Sequence, residues 1–350
     1  MNRRENLLRA VRFERPETIP VHFRLNQTVW HHYDQEALKD LCEAHPMLFP
    51  DYERPEGEVV PDYPPYARAG RPWTDPWGCT WETTDNGTTG VVTVHPLATW
   101  DDFETYTAPD PAKTNGRLPI DWDARAEWMR EAKATGQLAA GGLQHGHTFL
   151  TLIDIRGYTN LIFDMADEEP RLWKLIEMVE TFNAEVVRRY LDCRVEWMGY
   201  PEDLGMQRGP MLSPDQFRKY IKPSYQRLMQ PAREKGVIVH MHSDGDVRDL
   251  VDDLIEGGVE VINLQDLVND IDWIAEHLAG KTCIDLDVDR QKITRFGTPA
   301  EIDLLIREEV EKLGSKLGGL MFTVGIYAGI PLENIEALMD ALERYATYYS

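Results

Sequence analysis

Two histidines stand two residues apart, at His240 and His242, inside the stretch Val237-Ile-Val-His-Met-His-Ser-Asp-Gly-Asp246. From Val237 to Met241 the chain is apolar or β-branched apart from His240, which predicts a buried strand. Strand alternation puts both imidazoles on one face, with Asp244 next in line if the extended geometry continues. Neutral imidazoles suit a divalent metal, zinc above all, and Glu202 or Asp285 would supply an oxygen ligand. The preferred set is Glu202, His240 and His242. The same residues permit a plain alternative. One imidazole then hydrogen-bonds a neighbouring strand and the other lies at the solvent edge, as buried polar groups find such partners.

Other polar residues fall at places where apolar runs end. Glu202 and Asp203 follow Arg194-Val-Glu-Trp-Met-Gly-Tyr200, and a partly buried carboxylate beside another is suited to acid–base work. Their alternative role is to cap a helix or brace a loop. Gln144, His145 and His147 follow Gln137-Leu-Ala-Ala-Gly-Gly-Leu143; a plain loop role serves His145 and His147 equally well. Gln265 ends Val259–Leu264. Asp285 and Asp287 share a face of Thr282–Asp287, with a salt bridge to Arg290 as the alternative. His22 and Arg24 lie in the first apolar run, and Arg24 is a natural anion anchor. Glu202, His240 and Asp244 are the expected catalytic groups. His22, Arg24, Gln144, His147, Asp203, Gln265 and Asp285 are the expected substrate contacts.

These residues act together only if the fold gathers them. Strand, polar tip and helix alternate about eight times along the chain, which is the pattern of a (β/α)8 TIM barrel. Strands are expected near 19–24, 137–143, 194–200, 237–241, 259–264, 282–287 and 319–324. Helices are expected over 3–13, 121–135, 214–235, 247–256, 271–278, 299–313 and 332–345, with one more starting near Phe149 and a long one starting near Pro170 that keeps helical spacing from Leu172 to Val187. An open doubly wound sheet is the runner-up, but no glycine-rich dinucleotide loop supports it. Residues 45–115 are rich in Pro, Gly, Trp and Tyr and carry a hairpin signal, Trp81-Glu-Thr-Thr, Asp85-Asn-Gly87, Val91-Val-Thr-Val94. They read as an insertion after the first strand, either over part of the barrel mouth or as a packed surface meander. Trp73, Trp77 and Trp81 are expected in the core of that insertion. The 350 residues then form a single barrel domain.

A net charge of −23 disfavours nucleic acid or an anionic membrane as the main partner. Four scattered cysteines without a CxxC pair suit a reducing cytoplasm. The start lacks the apolar core of a signal peptide, and no run approaches a spanning helix. A cytoplasmic protein acting on a small molecule is expected, with a homodimer among the open oligomeric states.

Several stretches together resemble the uroporphyrinogen decarboxylase superfamily. They are Arg4-Glu-Asn-Leu-Leu-Arg-Ala10 with Arg15-Pro-Glu-Thr-Ile-Pro-Val21, Pro201–Pro214, Val239–Asp246, Asp285-Leu-Asp-Val-Asp-Arg-Gln291, Phe296-Gly-Thr-Pro-Ala-Glu301 and Gly329-Ile-Pro-Leu-Glu-Asn334. They run the whole length in family order. The resemblance implies a β/α barrel and one of two reactions, tetrapyrrole decarboxylation or methyl transfer serving corrinoid proteins. The decarboxylase pattern has Arg-Gln-Ala-Gly-Arg-Tyr after the first strand, where this chain has Phe23-Arg-Leu-Asn-Gln-Thr-Val29, matching only at Arg24. The family's late Gly-His-Gly is here Val324-Gly-Ile-Tyr327. The thiol-directed methyltransferases use His-x-Cys on the central strand and a later cysteine. Here His240-Met-His242 and the region of Ile326 take those places. The resemblance therefore implies a methyltransferase that moves a methyl group from a small methoxylated substrate to a corrinoid protein, as in O-demethylation. Zinc is the possible metal, and the corrinoid is carried by the partner. Alternatives are a metal-free decarboxylase, a metal-dependent hydrolase and a non-catalytic binding barrel. The hydrolase is disfavoured because such barrels carry HxH on the first strand.

Overall fold

The computed structural model describes all 350 residues. Seven core strands follow in order: β1 (Val21–Leu25), β2 (Ala140–Gly142), β3 (Trp197–Gly199), β4 (Ile238–Asp244), β5 (Val261–Gln265), β6 (Cys283–Asp287) and β7 (Leu320–Ile326). They are the seven runs expected from sequence, and helices separate them from β2 onward. The chain forms two compact units. One comprises Met1–Arg68, Asp85–Thr88 and Ile262–Ser350; the other comprises Ala69–Thr84 and Thr89–Val261.

In the first unit the strands lie in the order β1-β7-β6-β5. Parallel registers pair Val21 with Phe322, His22 with Thr323 and Asp287 with Thr323. Period-two alternation sorts the side chains. Phe23, Ile284, Leu286, Phe322 and Val324 are buried on one face. His22, Arg24, Asp285, Asp287 and Thr323 share the other by register. Helices Pro299–Leu313 and Leu332–Ala346 pack together. The first starts at a capping box in which Thr298 and Glu301 exchange side-chain-to-backbone bonds, satisfying two amides that the helix leaves open.

In the second unit β2 and β4 flank β3, with Ala140 and Ile238 both paired to Trp197. Beyond β3 the segment Glu202–Asp203 returns to the end of β4, pairing Glu202 with Ser243 and Asp203 with Asp244. Helix Pro170–Asp192 buries Leu172, Leu175, Val179, Phe182 and Val186, the stripe its 3.6-residue period predicts. Each such side chain, fully buried, contributes about 1.5–3 kcal/mol. Antiparallel strands Thr80–Glu82 and Val91–Val94 form the expected hairpin. Trp77 and Trp81 are buried, and Trp77 meets Phe182 edge-on.

Three sequence expectations need correction. The helix read over 214–235 is broken, with a wide π-turn at Phe217–Ile221 before Lys222–Glu234. Pro223 accounts for this, because it lacks the amide that would continue the ladder and its ring crowds the carbonyl four residues back. The helix after β4 starts at Val251 rather than Val247. β2 spans only Ala140–Gly142, flanked by irregular backbone. No helix is long and apolar enough to cross a membrane.

Candidate functional site

The second unit gathers a polar cluster at its strand tips. β4 alternates as expected to its last residue: Val239, Met241 and Ser243 are buried, while His240, His242 and Asp244 share the partly open face. Asp203 Oδ1 lies 3.4 Å from His145 Nε2 and 3.5 Å from His242 Nε2. It also accepts the Asp244 amide at 3.1 Å. Asp244 Oδ1 stands 3.7 Å from His242 Nε2. Burial alone would push Asp203 up, but the two imidazoles outweigh it and hold the carboxyl well below its ordinary range. One ligand atom each from His145, Asp203 and His242 lies within 4.8 Å of the others, a set able to hold a metal ion.

That set differs from the Glu202–His240–His242 triad read from sequence. His240 sits one alternation deeper, its ring against the Trp197 indole at 4.9 Å. Glu202 is fully buried. Its Oε1 accepts the amides of Thr148 and Phe149 at 2.5 and 2.8 Å, and Oε2 accepts that of Leu150 at 3.3 Å. These are open amides at the N-terminus of helix Phe149–Arg156, where a carboxylate is favoured. Burial nevertheless pushes Glu202 up to about 8 against those three bonds. The capping alternative thus describes the contacts of Glu202, whereas Asp203 faces the two imidazoles.

His147 also lies away from the expected place. It is buried against Tyr200 and Tyr225, and burial lowers it to about 3, so it is neutral. A substrate cannot reach it without opening that packing. Gln144 donates to the His145 carbonyl and lines a small cavity with Asp75, Arg117, Thr151 and Asp154. The motif after His242 is largely architectural. Ser243 Oγ accepts the Leu204 amide at 2.8 Å, and Asp246 pairs with Arg248 at 2.8 Å. Gly245 has φ +83°, and a Cβ there would stand 2.2 Å from the Gly205 carbonyl carbon. Only glycine fits.

One buried ionic cluster escaped sequence reading. The Arg117 guanidinium lies 4.2 Å over Trp81 and 4.0 Å from Asp154. Trp81 Nε1 donates to Asp75 at 2.8 Å. Burial pushes Asp154 up to about 7, opposed by Arg117. These residues are scattered over the insertion, the stretch just beyond it and a helix, and no spacing marked them. His145 as a ligand partner was equally hard to see, because only folding brings it to Asp203.

The first unit holds the remaining candidates. Thr323 Oγ1 donates to Asp285 Oδ1 at 2.9 Å, and Asn263 Nδ2 donates to the Asp285 carbonyl at 2.6 Å. Asp287 takes Arg290, with Nη1 at 2.6 Å from both carboxylate oxygens. The Arg290 alternative therefore holds for Asp287, whereas Asp285 bonds Thr323. Gln265 is buried at the tip of β5. His22 and Arg24 are exposed on β1, and Arg24 is not among the ion-paired arginines.

Comparisons with known proteins agree with this architecture. The fold is similar to that of a methyltransferase from Methanosarcina mazei, with TM-score 0.67, 17% identity and full coverage of both chains. That places the chain in the α/β-barrel fold class. Uroporphyrinogen decarboxylases from two strains of Thermus thermophilus are each 28% identical over 195 residues. Those matches cover 51% of this chain and 50% of each relative, so the matched region spans about half their length. Residues 74–345 match the family uroporphyrinogen decarboxylase (URO-D), and the chain belongs to that family.

Proposed function

We propose that this chain is a methyltransferase that takes the methyl group of a small methoxylated compound and passes it to a corrinoid carried by a partner protein. The observation that carries the reading is the His145–Asp203–His242 cluster. Two imidazoles and an ionised carboxylate, their ligand atoms within 4.8 Å, are a donor set that suits zinc. Bound there, the metal would supply Lewis acidity toward the oxygen that must leave. In the overall reaction the O–CH3 bond breaks, the methyl carbon bonds to the reduced cobalt of the acceptor, and the freed oxygen keeps the bonding pair and gains one proton. Asp203 stays ionised beside its imidazoles. Asp244, 38% exposed and 3.7 Å from His242, is the group poised to exchange that proton with a ligand.

The ion-paired arginines favour this reading over decarboxylation of a substrate with many carboxylates. Arg117, Arg156, Arg248 and Arg290 already face Asp154, Asp164, Asp246 and Asp287. Decarboxylation is the second reading, favoured by what the Thermus relatives are called. The test is methyl transfer to cob(I)alamin from a panel of methoxylated compounds, run beside uroporphyrinogen decarboxylation. Methylcobalamin formation that disappears in Asp203→Asn supports the proposal. Coproporphyrinogen formed with no methyl transfer overturns it.

A further inference from the structure

Glu202 is too deeply enclosed to touch a ligand, yet its position ties together the three parts of the cluster. It lies next to Asp203 in a two-residue strand whose pairing with Ser243 and Asp244 fixes it relative to His242. Its carboxylate grips the amides of Thr148, Phe149 and Leu150, which follow directly on His145-Gly-His147. The same loop is held at Gly146, whose amide donates to the Pro201 carbonyl at 2.9 Å. It is held again at His147, whose carbonyl accepts Asn183 Nδ2 at 2.6 Å. The one imidazole of the cluster that comes from a loop is thus pinned on its C-terminal side by the residue preceding its carboxylate partner. Alternation does the rest: Asp203 points to the cluster and Glu202 to the helix start.

We infer that Glu202 is a positioning residue, which sets the separation of His145 from Asp203 and His242 by clamping residues 148–150 without joining the cluster. The inference rests on the metal-binding reading for its functional consequence, but its structural part is separable. Glu202→Gln keeps the side-chain size and one acceptor oxygen, and it places an NH2 group against backbone amides that are themselves donors. The clamp is weakened and no ligand is removed. Supporting residues of this kind typically change metal affinity about 10–100-fold.

The experiment is Co2+ titration of the full-length protein by calorimetry and visible absorption, for wild type, Glu202→Gln and His145→Ala. Imidazole NMR spectra of the metal-free wild type and Glu202→Gln accompany it. The expected result is Co2+ binding about 10–100-fold weaker in Glu202→Gln, with a further loss in His145→Ala. The His145 ring resonances of metal-free Glu202→Gln should shift, while those of the surface residue His277 stay in place. Unchanged affinity with unchanged His145 resonances overturns the inference. If wild type binds no Co2+, the metal reading fails, and the NMR comparison still decides whether Glu202 positions His145. Should Glu202→Gln not fold, Glu202→Asp retains the carboxyl group but withdraws the clamp. Asn183→Ala loosens the same loop from its other anchor, and either variant serves the same two readouts.

Discussion

Replacing Glu309 by glutamine should stabilise the protein at neutral pH and flatten part of its pH dependence. Glu309 is fully buried on helix Pro299–Leu313, and neither carboxylate oxygen has a hydrogen-bond partner of good geometry. Burial pushes it well above the ordinary glutamate range, and Asp266, Asp289 and Glu308 push the same way. Helix Ile271–His277 also packs against this helix, but its Asp272 is engaged with Lys312 at 2.5 Å. Asp266 is itself buried, and its oxygens accept the Leu267 and Asp289 amides at 2.5 and 2.8 Å. Two such carboxyls cannot both ionise, so Glu309 carries a proton in the folded state. An unfolded glutamate loses its proton near pH 4.3. Above that pH the folded chain binds more protons than the unfolded one, and stability falls as pH rises toward the folded value. The slope is about 1.4 kcal/mol per pH unit, or up to about 2.7 kcal/mol from pH 5 to pH 7. Glutamine is neutral at every pH and removes this slope. Thermal unfolding of wild type and Glu309→Gln should therefore diverge by about 4 °C over that interval, with the variant gaining. Parallel profiles, or a variant equally destabilised at both pH values, would refute the shared-proton argument.

Arg117→Met should leave Asp154 buried without its guanidinium and cost about 3 kcal/mol. Because burial already raises Asp154 to about 7, stability conferred by its proton is lost as pH rises through that value. Urea unfolding should therefore show a larger penalty at pH 8 than at pH 5. Gly245→Ala forces a Cβ to within 2.2 Å of the Gly205 carbonyl carbon at φ +83°. It should cost about 3 kcal/mol or more, measurable as a lowered denaturation midpoint.

The strand order along the chain was readable because each core run is short, apolar or alternating, and bounded by turn residues. The face shared by His240, His242 and Asp244 followed from the two-residue period alone. Which of the many polar tips meet was not readable, because register and loop path decide it. His145 reaches Asp203 only through a loop pinned by Glu202 and Asn183. His147, two residues on, turns into the core beside Tyr225. Glu202 and Asp203 look alike as neighbouring acids, and only their opposite directions in the sheet separate a clamp from a cluster member. The π-turn at Phe217–Ile221 follows from Pro223, but a proline near a helix start also permits an unbroken helix, so sequence favoured the simpler form. Arg117 and Asp154 met through tertiary packing that no local pattern encodes.

The central claim is that His145, Asp203 and His242 hold a divalent metal. Elemental analysis of the purified protein after zinc loading and extensive dialysis tests it most directly, with Asp203→Asn, His242→Ala and His240→Ala alongside. The prediction is about one equivalent of zinc in wild type and in His240→Ala, with loss in Asp203→Asn and His242→Ala. Zinc absent from wild type, or retained in Asp203→Asn and lost in His240→Ala, would contradict it.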